Sequence, residues 1–213
     1  MFETLTTITA EEYRILITKN FGDDSNIKDR FRVVGELDFE KFCFRQNHSL
    51  VELEGILSVD EAGIESFVNL VSVSQSVRAD KSYIRSFPKL EFVGGALFLS
   101  ESAIESIPYL KYAGFELNVE KTKNLKSLPC LEEVNGDLLM EQSSIAELPK
   151  LKKVNGHIEA DGSQVQTFPA LENVGTYVAV SNFIEINFPE LHTLGTEFHY
   201  DDNQKIIAPK LAR

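Results

Sequence analysis

The 213-residue chain has no tryptophan, two cysteines, two methionines, and only 21 Lys and Arg against 33 Asp and Glu. The shortage of basic residues leaves a net charge of −12, and such a surface repels phosphate backbones, which argues against a nucleic-acid partner. The same acidity suits a basic partner protein, a cation, or solubility alone. No apolar run approaches the length of a membrane span, so no membrane partner is expected. The opening MFETLTTITAEEYRILITKNF lacks a basic region followed by an apolar core and does not read as a signal peptide. HExxH, CxxC and Gly-rich phosphate loops are also missing, which removes the usual signatures of metal and nucleotide chemistry. No cofactor is expected, and a soluble cytoplasmic protein is.

What the chain has is a period. Pro88, Pro108, Pro129, Pro149, Pro169, Pro189 and Pro209 are spaced 20, 21, 20, 20, 20 and 20 residues apart. A fixed period near 20 marks a solenoid, in which each turn buries its apolar face only against its neighbours. With proline as offset zero, and Lys28, His48 and Val68 as its early equivalents, about nine repeats fill residues 28–213. Offset nine reads Leu37, Leu57, Val77, Leu97, Leu117, Leu138, Ile158, Val178 and Phe198. Offset eleven reads Phe39, Val59, Ala79, Leu99, Val119, Met140, Ala160, Val180 and Tyr200. Alternation with more polar flanking offsets is the period-two pattern of a half-buried strand, one per repeat. Leu at offset two, Val or Leu at offset five and Ile or Val at offset sixteen complete the core. Glycine at offset six or seven suits a tight turn or a positive φ.

Residues 1–27 stand outside the period. Thr9 and Glu12 form a capping-box signature, Tyr13, Leu16, Ile17 and Phe21 share a helical face, and Gly22 is a stop. This predicts an amphipathic helix capping the first turn, followed by a short linker. Cys43 and Cys130 fall four to five turns apart, about 20 Å if turns stack at the spacing of strands, beyond disulfide reach and in keeping with a reducing compartment.

The chain from about Lys28 to Leu211 resembles the leucine-rich repeat proteins. Ile158, Ala160 and Val165 match the second, third and last apolar sites of LxxLxLxxNxL. Two features depart from that pattern. An extra, glycine-containing residue separates Val154 from Ile158, and Ser82, Ser102, Thr122, Ser143 and Ser163 stand at the Asn position, with Asn only at Asn203. The short variant is similar to repeats met in bacterial and phage proteins. The resemblance implies a right-handed superhelix with one parallel β-sheet and extended or 3₁₀ segments on its back. A right-handed parallel β-helix is the alternative architecture.

Function is to be sought where outward positions differ between turns. Offset twelve holds Glu40, Asp60, Asp80, Ser100, Glu120, Glu141, Asp161, Ser181 and Asp201, a nearly continuous acidic track. It reads either as a steering surface for a basic partner or as a solvated edge, with Lys41, Lys81 and Lys121 neutralising part of it. At offset ten, Phe98 and Leu139, with Ala96 nearby and Asn118 between them, suggest an apolar patch ringed by charge. His157, Glu159, Tyr177, Glu197 and His199 form a third cluster, read as polar contacts in a binding face rather than as metal-binding or acid–base groups. The expected activity is therefore non-enzymatic protein binding through Phe98, Leu139, Asn118, Glu120, Glu141, His157, Glu159, Asp161, Tyr177 and His199. The alternative is a small acidic inhibitor, of the immunity or anti-defence kind, that occludes a basic nucleic-acid-binding surface of a target enzyme. The sequence offers no cap at its C-terminal end, which suggests a homodimer through that end.

Overall fold

The computed structural model describes residues 5–19, 24, 27–39 and 45–211. Phe21, Gly22, Glu40, Lys41 and Cys43, to which roles were assigned above, lie outside them. Each repeat forms one turn of a parallel β-solenoid, and three ladders run along its length. The first sheet has ten strands, from Thr6–Thr9 and Phe31–Val34 through two-residue strands such as Phe92–Val93 and Tyr112–Ala113 to Thr193–Leu194. The second has nine, from Leu37–Asp38 to Phe198–His199. On the third side Gln46–Asn47 pairs with Ser66–Phe67 and Glu185–Asn187 with Lys205–Ile207. Single bridges such as Ser86–Ser106 and Ser127–Glu147 continue that ladder between them.

The solenoid reading holds, while the expectation of one sheet is corrected to two long sheets and a third, broken ladder. The first sheet is hidden in the sequence because its later strands are two residues long. Only the inward residue, offset five, is apolar in every turn, and two residues are too few for alternation to register. The back of each turn is extended rather than 3₁₀ among the described residues.

Register makes each turn a template for the next. Leu97 pairs with Val77 on one side and Leu117 on the other, so each side chain lies over the residue 20 positions away. The single 21-residue turn keeps this register because its extra residue falls in the bend at Lys123–Asn124. Thr122 still follows Val119 as Ser102 follows Leu99, and Leu125 fills the buried place of Ile104.

Three corners turn the chain, each by a different device. At the first, proline occupies the second position of a β-turn, where its fixed φ is preorganised. The Leu90 N–H donates to Phe87 O across Pro88 at 3.4 Å, and Leu211 to Ala208 across Pro209 at 3.2 Å. At the second corner stand the glycines, and here the structure revises the expected reason for them. Of these only Gly35 has a positive φ, 116°. At Gly55, Gly114, Gly175 and Gly195 an added Cβ would overlap the carbonyl oxygen of the preceding turn. Glycine is used there because turns pass too closely for a side chain. The left-handed backbone belongs to the third corner, at offset thirteen. Glu61, Lys81, Glu101, Lys121, Gln142, Gly162 and Asn182 all have φ between 51° and 67°.

The hydroxyl at offset fourteen closes that corner. Ser82 Oγ, Ser102 Oγ and Thr122 Oγ1 each donate 2.7 Å bonds to the carbonyl three residues earlier, Ala79, Leu99 and Val119. These bonds lie within a turn, so the column fastens each corner to itself.

Inside, offsets two, five, nine, eleven, sixteen and nineteen form buried columns, Leu131, Val134, Leu138, Met140, Ile145 and Leu148 in one turn. Phe67–Phe87 and Phe168–Phe188 stack with centroids 5.9 and 5.1 Å apart. Cutting a column member such as Leu131 to Ala should cost about 2–5 kcal/mol, because neighbouring turns cannot close over the void.

The N-terminal end is capped as expected. Thr9 and Glu12 exchange bonds, Glu12 N–H to Thr9 Oγ1 at 3.2 Å and Thr9 N–H to Glu12 Oε2 at 2.8 Å. The helix Ala10–Lys19 buries Ala10, Tyr13 and Ile17 over the first turn. Tyr13 is anchored by Ser49 Oγ and Asn47 Nδ2, both at 2.8 Å. Thr6–Thr9, which the sequence pattern does not reveal, adds an edge strand beside Phe31–Val34.

The two kinds of glycine should separate in a urea titration. Gly162→Ala is expected to cost about 1–2 kcal/mol, the penalty of a left-handed non-glycine residue. Gly175→Ala is expected to cost about 3 kcal/mol or more, because backbone must move. Equal, small losses would contradict the close-approach explanation.

Candidate functional site

Stacking at a fixed register arranges surface charges in columns, and most of these columns alternate in sign. Along the third side Arg45 meets Glu65 at 3.5 Å, and Arg85 bridges Glu65 and Glu105 at 3.9 and 3.2 Å. On the first sheet Arg32 meets Glu52 at 2.6 Å and Lys153 meets Glu133 at 3.2 Å, and just before its strands Lys111 meets Glu91 at 2.6 Å. Lys152–Glu132, Lys121–Glu101 and Lys205–Glu185 follow the same one-turn spacing. Each exposed pair is worth only about 0–1 kcal/mol, but alternation removes the like-charge repulsion that stacking would otherwise impose.

The outer face of the second sheet breaks this rule. Its offset-twelve column carries acid after acid, and the structure divides them into two groups. Asp60 and Asp80 serve the fold itself. Asp60 Oδ1 accepts the Asp80 N–H at 2.9 Å, and Asp80 Oδ1 the Ser100 N–H at 2.7 Å. Burial pushes both carboxyls above the usual range, with the adjacent acid adding to the effect. Residue type alone does not distinguish these two from the rest of the track.

Further along, Glu120 and Glu141 of this column, with Glu159 at offset ten of the next turn, bring one carboxylate oxygen each within 4.8 Å of one another. No Lys or Arg pairs with this trio among the described ion pairs. Partial burial, then Glu159, Glu120 and Asp161, hold the Glu141 carboxyl above the usual glutamate range. Three hard oxygens at this spacing could bridge a divalent cation or receive a Lys or Arg from outside.

The His–Tyr cluster adjoins the trio. The His157 ring sits between Asp137, with Nδ1 to Oδ1 at 2.8 Å, and Glu159, with Nε2 to Oε1 at 3.4 Å. Tyr177 stacks on it with centroids 4.6 Å apart and donates its hydroxyl to Glu159 Oε1 at 2.8 Å. That bond, first, raises the Tyr177 pKa to about 12. His199 leans on Tyr177 at 4.9 Å, with Glu197 3.6 Å from its Nε2. His157, Glu159, Tyr177 and His199 are thus one stacked surface, half-buried except at His199.

The apolar patch differs from its expected form. Phe98 and Leu139 are half-buried on the outer face, but Asn118 lies between them in register. Its amide donates to Glu116 and Glu120, 3.3 Å each, so the two apolar side chains are separate contacts. Ala96, expected beside them, is buried, 6% exposed.

The more apolar surface lies around the glycine corner of the same turns. Phe92 and Tyr112 stack at 5.2 Å on the first sheet, the Phe92 ring lies against Gly94, and Phe115 projects from the corner with 65% exposure. The sequence carries a signal for it: Phe115 is the one aromatic in an offset-seven column of glycine, glutamine and threonine. Phe92 and Tyr112 sit at offset four, in strands too short for their pattern to mark them as outward-facing.

Comparison of the chain with protein-family models, curated proteins and solved structures finds no match. The site therefore rests on its geometry.

The acidic trio sets a pH dependence. A carboxyl raised in the folded state holds more protons there than in the unfolded chain across the window between its two pKa values. Stability from that group falls as pH rises through the window. Glu141→Gln is accordingly expected to raise the unfolding midpoint at pH 7 and to lose this advantage as pH falls below the usual glutamate range. A midpoint unchanged or lowered at pH 7 would show that the trio carries no repulsion.

Proposed function

We propose that the protein is a non-enzymatic binding module that takes a basic protein partner on the outer face of its second sheet. One observation carries this reading. In a solenoid most of whose other charged columns alternate in sign, Glu120, Glu141 and Glu159 stand together with no Lys or Arg paired to them among the described residues. Such an arrangement costs stability in the free protein and returns it when cations from a partner arrive. Asp161, His157, Tyr177 and His199 extend the polar contact, and Phe98 and Leu139, with Asn118 between them, supply apolar contact on the same face. The acids quicken encounter, and the half-buried apolar side chains hold the complex after it forms.

The alternative, an acidic inhibitor that occludes a nucleic-acid-binding surface, draws on the offset-twelve column, since a row of carboxylates about 4.8 Å apart presents repeated negative charge as a phosphate backbone does. Kinship with the leucine-rich repeats of bacterial and phage type is part of the proposal, supported by the apolar strand positions and the hydroxyl column. A cytoplasmic setting rests on the scarcity of cysteine.

Affinity capture from a native lysate, with bound proteins read by mass spectrometry, tests the reading. The expected partner is basic, is lost at raised salt, and is lost to Phe98→Ser/Leu139→Ser while the unfolding midpoint moves little. A captured partner indifferent to salt and to both substitutions would contradict it.

A further inference from the structure

One junction between turns breaks the pattern of the third corner. At that corner offset fourteen is a hydroxyl residue and offset sixteen the inward apolar one, as in Ser102 with Ile104, Ser143 with Ile145 and Ser163 with Val165. In the turn that begins at Pro169 those places hold Phe183 and Glu185, and the buried side chain is Ile186, one residue later. The following turn keeps the slip, since Glu185–Asn187 pairs in register with Lys205–Ile207. The misfit therefore falls wholly between the turns that begin at Pro149 and Pro169. The offset-fifteen N–H crosses to the previous turn at Ala103, Ser144 and Gln164, with bonds of 3.0, 2.9 and 3.2 Å. Ile184 makes no such bond, and among the described residues no backbone hydrogen bond joins 182–186 to 163–166. The two turns part there and leave a cleft of about 580 Å³, in the size range of small-molecule sites.

The lining of this cleft carries hydrogen-bonding groups without net charge. Gln164 and Gln166 line it from one turn and Asn182 from the other. Both glutamines are exposed, and neither side chain enters a hydrogen bond among the described residues. Asn182 donates one amide hydrogen to Ser181 Oγ at 3.1 Å, which leaves its side-chain oxygen as an acceptor. The Ser163 hydroxyl also lines the cleft and, unlike those of Ser82, Ser102 and Thr122, makes no bond to the carbonyl three residues before it. Among the described lining residues only Glu185 is charged, and Lys205 Nζ meets its carboxylate at 2.8 Å. Phosphates, carboxylates and metal ions therefore find no uncompensated counter-charge. The apolar part is Ile184, 89% exposed, beside Phe183, which packs partly on the core.

We propose that this cleft binds a short neutral saccharide. Each amide side chain offers donors and an acceptor side by side, and adjacent sugar hydroxyls present the matching pair. Ile184 supplies apolar surface for the C–H face of a sugar ring. Bonds between the turns, Gly162 N–H to Ser181 O at 3.4 Å and Asn187 N–H to Gln166 O at 3.0 Å, close the cleft at both ends. That closure suits a compact ligand and not a peptide running along the turns. None of Glu120, Glu141 and Glu159 lines the cleft, so this site is separate from the acidic face.

Side-chain amide signals in a proton–nitrogen NMR correlation spectrum read the site directly. The whole chain is titrated into the tens of millimolar with maltose, cellobiose, lactose and diacetylchitobiose, and with trialanine as an uncharged peptide. At least one of the disaccharides is expected to shift the Gln164, Gln166 and Asn182 signals saturably, with millimolar dissociation. Gln164→Ala/Gln166→Ala, both at exposed positions, should weaken that binding about tenfold when read at Asn182, with the unfolding midpoint unmoved. Ile184→Ser should weaken it as well. The proposal is overturned if no disaccharide moves these signals, or if the shifts fall elsewhere on the solenoid. It is equally overturned if trialanine binds as well as the best disaccharide, or if binding survives both sets of substitutions.

Discussion

The spacing between turns governs this molecule. Parallel strands lie about 4.8 Å apart, so every residue sits directly against its counterpart one turn away. An apolar position must be apolar in each turn, or a polar group is buried against hydrocarbon. A position where backbones touch must be glycine, as Gly114 and Gly175 are. A charged position must alternate in sign or bear repulsion. The proline turns, the left-handed corner and the hydroxyl bonds at Ser82, Ser102 and Thr122 are local devices that return the chain to this spacing on every circuit.

Functional meaning comes from departures under that constraint. Alternating columns such as Arg45–Glu65–Arg85–Glu105 satisfy the rule and need no partner. Asp60 and Asp80 break it and are compensated inside the fold, by backbone N–H groups of the following turn. Glu120, Glu141 and Glu159 break it, and no Lys or Arg pairs with them among the described residues. The exposed Phe115 breaks a different rule, placing a large apolar group where neighbouring turns have small or polar ones. Each departure not compensated inside the fold is a place where something outside the chain can lower the free energy.

The period, the core columns and the Thr9–Glu12 cap are legible in the sequence because each depends on residue type at fixed separation. Long-range facts are less so. A two-residue strand such as Phe92–Val93 shows no alternation, which conceals the first sheet and with it the outward-facing Phe92 and Tyr112. Glycine at the second corner reads as a matter of backbone conformation, because a sequence does not say how near the next turn passes. Lysines at the third corner read as neutralisers of the acids, and their left-handed φ values have no counterpart in residue type. Asp60 and Asp80 look like members of one acidic track because the N–H groups they accept belong to residues 20 positions on.

One titration reaches the central claim, that a single face of an otherwise charge-balanced solenoid is left uncompensated. Backbone and carboxyl NMR shifts would be followed as a short oligolysine is added at low salt. Shifts are expected to concentrate at Glu120, Glu141, Glu159 and Asp161, and to disappear as salt is raised. Shifts spread evenly over the alternating columns of the first and third sides would contradict the account.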